Sequence, residues 1–145
     1  MADELEILKS CRTIAVVGLS ANKFRPSYDV AAYMQRAGYR IIPVNPGQSE
    51  ILGEKCYARL EDIPEPVDCV NVFRQVEYVP AIMEAAIAIG AKAVWLQLDI
   101  VDDAAAEKGR AAGLMVVQDR CLLIEHRRYR GELGGRAGGN ADEIG

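Results

Sequence analysis

Apolar residues along the chain fall into two kinds of run. Five runs are short, continuous and mostly β-branched, at 13–17, 39–44, 68–73, 93–98 and 114–117, and most are bounded by glycine or proline. Runs of that length and character predict strands buried on both faces. Between them the apolar positions recur at helical spacing. Val30, Met34 and Ala37 share one face of a helix over 26–37, and positions 79, 82, 83 and 86 form a stripe over 77–89. Asp102 and Asp103 supply an N-cap and first-turn charge for a third helix reaching about Ala112. Gly38, Gly90 and Gly113 follow these helices where a left-handed cap is wanted, and Pro26 and Pro80 fit only as first-turn residues.

The ends are less regular. Residues 4–12 predict a short amphipathic helix over one sheet edge. Residues 48–66 are punctuated by Gly53, Pro64 and Pro66, with one helical turn at 60–63. The patch 121–124 reads as helix or short strand. Residues 131–145 carry Gly134-Gly135 and Gly138-Gly139 and predict a mobile tail, leaving 1–130 as one domain. Strands alternating with helices of about a dozen residues predict an α/β fold of three layers. It is Rossmann-like, with a five-stranded, mainly parallel sheet, right-handed crossovers and helices on both faces. Such sheets take ligands at the carboxyl ends of their strands, where strand order reverses.

Composition narrows the choice of partner. The 145 residues carry 17 cations against 21 carboxylates, a formal charge of −4. No bulk positive field invites nucleic acid or an anionic membrane. The four cysteines show neither CxxC nor zinc spacing, the start Met-Ala-Asp-Glu-Leu-Glu is unlike a secretory signal, and no apolar run approaches a membrane span. These features point to a cytoplasmic chain with reduced thiols.

The candidate chemistry lies after the first strand, in Gly18-Leu19-Ser20-Ala21-Asn22-Lys23-Phe24-Arg25-Pro26-Ser27. A strand, a glycine turn and a helix start aim backbone N–H groups and the positive helix end at an anion, here reinforced by Ser20, Asn22, Lys23, Arg25 and Ser27. The dinucleotide fingerprint fails, because the turn holds one glycine and the second strand ends in Val44-Asn45-Pro46 without an acid. No Walker loop is present. A charge at a helix terminus contributes ~0.3–1 kcal/mol, whereas micromolar affinity needs about 8 kcal/mol. The remainder must come from a buried ring or a long apolar arm. A ligand with several phosphates, an adenine and an extended tail meets that need.

Several segments together resemble the small bacterial and archaeal CoA-binding proteins. They are Ala15-Val16-Val17-Gly18-Leu19-Ser20, Arg25-Pro26-Ser27-Tyr28, Gly38-Tyr39-Arg40-Ile41-Ile42-Pro43-Val44-Asn45-Pro46, Val70-Asn71-Val72-Phe73-Arg74, Val94-Trp95-Leu96-Gln97 and Asp119-Arg120-Cys121. Those stand-alone Rossmann-like domains are similar to the CoA-binding domain of the succinyl-CoA synthetase alpha subunit. The resemblance spans about residues 5–130. It implies coenzyme A or an acyl-CoA as ligand, with Gly18, Leu19 and Ser20 along the pyrophosphate and Asn45-Pro46 by the ribose and 3′-phosphate. It places Val72, Phe73 and Arg74 by the adenine, and Trp95 to Gln97 along the pantetheine arm. Asp99 stands where that family usually has glycine, and Asn71 where it has aspartate.

Plainer roles compete at each position. Gly18 is also placed as a packing glycine, Trp95 as core, Cys121 as a buried inert thiol, and Arg120 as half of an internal ion pair with Asp119. Arg74 directly follows an apolar strand, so its guanidinium should emerge at the crevice. Nothing around His126 marks it as catalytic. With no nucleophile–base pair and no metal cluster visible, the expectation is a binding module without catalysis. Its partners would be the CoA ligand and either a second copy or a partner enzyme chain. The alternatives are a CoA-presenting subunit of an acyl-CoA ligase or transferase, and an NAD(H)- or nucleotide-binding sensor. Gly18→Val is expected to abolish binding with the fold intact.

Overall fold

The computed structural model describes residues 3–137, with side chains through residue 134. Five strands, β1 (Thr13–Val17), β2 (Arg40–Val44), β5 (Cys69–Val72), β6 (Ala93–Leu96) and β7 (Met115–Val117), form one sheet in the order β2-β1-β5-β6-β7. Every pairing is parallel. Strand order reverses between β1 and β5, because β2 was laid on one side of β1 and all later strands on the other. The carboxyl ends of β1 and β5 therefore flank a natural crevice.

The strand runs are apolar at successive positions because both faces are covered. Ile14, Val16, Cys69 and Trp95 point to a layer holding α1 (Asp3–Ser10), α2 (Pro26–Arg36) and α5 (Leu122–Arg128). Ala15, Val17, Val70 and Leu96 point to the opposite layer, with α3 (Val79–Ala88) and α4 (Asp103–Ala111). α1 lies against the edge strand β7, as its amphipathic pattern predicts. Asp102 caps α4 by accepting the Ala105 N–H at 3.0 Å. The 121–124 patch resolves as helix, the opening of α5.

Two segments differ from expectation. The irregular 48–66 region contains a small antiparallel hairpin, β3 (Glu50–Ile51) and β4 (Glu54–Lys55), turned by Leu52 and Gly53 at φ 57° and 76°. Its next residues reach back to β2, where Tyr57 bridges Val44. At the other end Arg130–Ala137 forms a helical segment, α6, kinked at Gly134, and Leu133 is buried in the core. The ordered domain thus runs past Arg130, and the rest of the expected tail, 138–145, lies outside the described residues. Among the described residues, no helix is long and apolar enough to cross a membrane.

Candidate functional site

A cleft of about 580 Å³ opens where strand order reverses. Its walls come from three strand ends: Val17, Gly18, Ser20 and Arg25 after β1, Val44, Asn45 and Pro46 after β2, and Phe73, Arg74 and Gln75 after β5. Ala58 completes it from the segment beside β2. Val17, Val44 and Ala58 were not among the expected contacts. Ala58 arrives only because the hairpin folds back on β2, and nothing in its local sequence signals that.

Gly18 sits at φ +90°, and a Cβ there would stand 2.5 Å from the Phe73 carbonyl oxygen and 2.8 Å from Arg74 Cδ. The β1 loop can therefore lie flush against the β5 loop only with glycine. This corrects the expectation for Gly18→Val, since a branched side chain would push the two loops apart and strain the fold. The packing role and the site role coincide at this residue.

The β1–α2 loop braces itself. Gly18 N–H donates to the Val44 carbonyl (3.0 Å), Ser20 N–H to Ser27 Oγ (3.0 Å), Asn22 N–H to Ser20 Oγ (3.0 Å) and Phe24 N–H to Asn22 Oδ1 (2.9 Å). Asn45 ties in the neighbouring strand, donating to the Leu19 carbonyl at 2.9 Å and accepting the Gly47 N–H at 2.8 Å. Ser27, Asn22 and Asn45 thus spend side-chain groups on holding the loop. Among the described residues, the N–H groups of Leu19, Ala21, Lys23 and Ser27 find no acceptor. Of these, Ala21 and Lys23 are exposed, so two free amides beside the start of α2 are open to an anion.

Arg25 is the N-cap residue of α2 and Arg74 sits across the cleft, its guanidinium 4.0 Å over the Tyr78 ring. Stacking holds that cation in place while leaving its N–H edge for an anion. Lys23 is exposed on the same loop but does not line the cleft.

The remaining expected contacts lie elsewhere. Leu19 and Val72 are fully buried, backbone included, and neither lines the cleft. Gln97 is buried, and its Oε1 accepts from Asn71 Nδ2 (3.2 Å) and from the Leu122 N–H (3.0 Å), locking the start of α5 to β6. Arg120 turns away to Glu4 (3.8 Å), while its carbonyl accepts Trp95 Nε1 at 2.9 Å. Trp95 is core, as its strand position suggested. His126 is buried with its Nδ1 2.9 Å from the Tyr33 hydroxyl, far along α5 from the cleft residues. Burial pushes the Cys11 thiol up to about 11 and also raises Cys56 and Cys69, which keeps all three protonated at neutral pH.

A five-stranded parallel sheet with helices on both faces and a cleft at its switch point defines a Rossmann-like α/β domain. The chain belongs to the CoA binding domain family, whose model matches residues 12–127. It is 41% identical to the uncharacterized protein YneT of Bacillus subtilis over 86% of this chain and 93% of that one. A solved hypothetical protein from Pyrococcus horikoshii superposes with a TM-score of 0.84 and 39% identity, covering 87% of this chain and 89% of its own. Half of this chain is also 32% identical to an ADP-forming acetate–CoA ligase II of Archaeoglobus fulgidus, but that match spans only 11% of the ligase.

Proposed function

We propose that this chain binds coenzyme A or a short acyl-CoA in the cleft at the heads of β1 and β5, as a cytoplasmic module without chemistry of its own. The single observation behind the reading is the cleft at the strand-order reversal, where Ser20 of the β1–α2 loop stands with the cations Arg25 and Arg74, in a chain of the CoA binding domain family. Ser20, Arg25 and the exposed Ala21 amide would take the diphosphate. Phe73 and the Arg74–Tyr78 stack would border the adenine, and Asn45-Pro46 would stand by the ribose. The polar side chains lining the cleft are the Ser20 hydroxyl, the Asn45 and Gln75 amides and the Arg25 and Arg74 guanidinium ions. They hold anions but none is a base at neutral pH, which supports binding rather than turnover.

Calorimetry on the full chain with CoA, dephospho-CoA, desulfo-CoA and NADH tests the assignment. CoA is expected to bind tightest and desulfo-CoA nearly as well, with dephospho-CoA weaker because the 3′-phosphate is lost. Tighter binding of NADH than of CoA would reassign the cleft to a dinucleotide. Native mass spectrometry of the purified chain gives an independent check by showing whether a CoA-sized adduct travels with it.

A further inference from the structure

Two guanidinium groups line the cleft, and they come from different walls. Arg25 stands at the N-cap of α2, on the loop that also carries the Ser20 hydroxyl and the exposed Ala21 amide. Arg74 enters after β5 and crosses the glycine turn, its Cδ 2.8 Å from the position a Gly18 Cβ would take. Its guanidinium then lies 4.0 Å over the Tyr78 ring. Stacking stabilises the cation through its face and leaves the N–H fork unspent. No acceptor takes that fork among the described residues, and Glu77, on the short turn that follows, is exposed and not paired with it. The turn after β2 has far less to offer. Pro46 has no N–H, the Gly47 N–H goes to Asn45 Oδ1 (2.8 Å) and the Gln48 N–H to the Asn45 carbonyl (3.4 Å). Asn45 gives its own N–H to the Tyr57 carbonyl (2.9 Å) and one Nδ2 hydrogen to the Leu19 carbonyl (2.9 Å). The other Nδ2 hydrogen is too little for a terminal phosphate, which carries about −1.5 to −2 charge on its acceptor oxygens.

Resting on the reading of the cleft as a CoA site, we propose that Arg74 reads the ligand's 3′-phosphate, while Arg25 and the β1–α2 loop serve its diphosphate. The diphosphate is a chain of singly charged groups, which amides and a hydroxyl at a helix start can hold. The 3′-phosphate is a terminal group of higher charge and calls for a cation with parallel donors, the geometry of a guanidinium fork. Arg74 has that fork held ready, because the Tyr78 ring fixes its plane. The cleft is thereby matched to a nucleotide phosphorylated at two separate places. The Asn45-Pro46 turn, to which the family resemblance gave the 3′-phosphate, keeps only the ribose.

The test is calorimetry of the full chain and three variants with CoA and with dephospho-CoA, which differ only by the 3′-phosphate. Wild type is expected to hold CoA about tenfold tighter, the worth of one charge-assisted fork. Arg74→Gln should bring that ratio to about two or less and leave dephospho-CoA affinity within about twofold of wild type. Arg74→Lys keeps the charge without the fork, and its ratio should fall between, at about three. Arg25→Gln should weaken both ligands by the same factor, roughly fivefold, with the ratio still near that of wild type. Equal affinity of wild type for the two ligands overturns this proposal and leaves the cleft assignment standing. So does an Arg74→Gln variant that keeps the full ratio, or one that loses both ligands equally, which would give Arg74 to the diphosphate or the base. A ratio abolished by Arg25→Gln and kept by Arg74→Gln would move the 3′-phosphate to the other wall and overturn it as well. Failure of wild type to bind either ligand overturns both readings.

Discussion

The two ends of the same sheet are built on opposite terms. At the amino end, polar groups are paired with one another. Asp68 accepts the N–H groups of Arg12 (2.8 Å) and Thr13 (3.0 Å), and its other oxygen lies 3.6 Å from Lys92 Nζ. The Asp68 carbonyl accepts from Lys92 and Ala93, and Arg40 spans Glu54 and Glu65. At the carboxyl end, the exposed Ala21 and Lys23 amides find no acceptor, Arg25 and Arg74 have no carboxylate partner among the described residues, and Val76, Leu98 and Val101 are exposed. The amino end spends its chemistry on holding strands in register, and the carboxyl end keeps its chemistry for something outside the chain. Substitutions at the two ends should therefore separate stability from affinity.

The largest effect belongs to the one position where the two roles coincide. Gly18→Ala should destabilise the domain by about 3 kcal/mol. An L-residue at φ +90° costs ~1–2 kcal/mol, and displacing the Phe73 carbonyl adds overpacking of ~1–3 kcal/mol. Urea denaturation measures this, and a loss under ~1 kcal/mol would show that the β1 and β5 loops can separate freely.

Asp68→Asn sharpens the contrast from the amino end. Burial pushes the Asp68 carboxyl up, but the two backbone amides and Lys92 outweigh it and hold the group below its ordinary value. A lowered folded pKa stabilises the fold above the ordinary aspartate range and loses that contribution as pH falls through the folded value. The variant should lose ~1–2 kcal/mol at pH 7. Its deficit should close as wild type is titrated below about pH 4, while CoA affinity stays unchanged. A deficit independent of pH would mean that the charge of Asp68 is not what closes this end.

Arg74→Ala probes the other end. Losing one charge-assisted contact to phosphate should lower CoA affinity about tenfold, ~1.4 kcal/mol, and flatten its salt dependence. Stability should change by no more than ~1 kcal/mol, the worth of the stack on Tyr78. A variant that unfolds more easily but binds as well would move Arg74 to the structural side of the comparison.

The same division explains what the sequence disclosed. The strands and main helices were legible because burial on both faces writes unbroken apolar runs, and helical spacing writes the stripes between them. The hairpin at Glu50–Lys55 was hidden because two-residue strands carry no period and Leu52-Gly53 is a weak turn signal. α6 was hidden by glycines that read as linker, although Leu133 anchors it. In the cleft, fold position alone located Gly18, Arg25, Asn45 and Phe73. It could not say where side chains turn after a strand ends. Arg120 goes to Glu4, and Gln97 goes inward to Asn71 and Leu122, because those partners come from distant segments. Ser27 read as a ligand group, and its Oγ accepts the Ser20 N–H, a bond that local sequence does not announce.

The smallest effect tests whether the carboxyl end forgoes stability. Asp99 sits at φ 68°, a backbone that L-residues adopt at a cost, although aspartate tolerates it better than most. Asp99→Gly relieves that cost but enlarges the conformational freedom of the unfolded chain, which opposes it by roughly 0.5–1 kcal/mol. The Asp99 N–H bond to Asp119 survives, because it is made by the backbone. The two terms should leave a net gain of about 0.5 kcal/mol, read as a rise of ~1–2 °C in Tm. A gain of that sign would mean that aspartate stands here at the expense of stability, as a group whose role is toward a ligand. A loss would mean that its carboxylate stabilises the loop directly, and the Asp99–Asp119 contact would then belong with the amino end as structure.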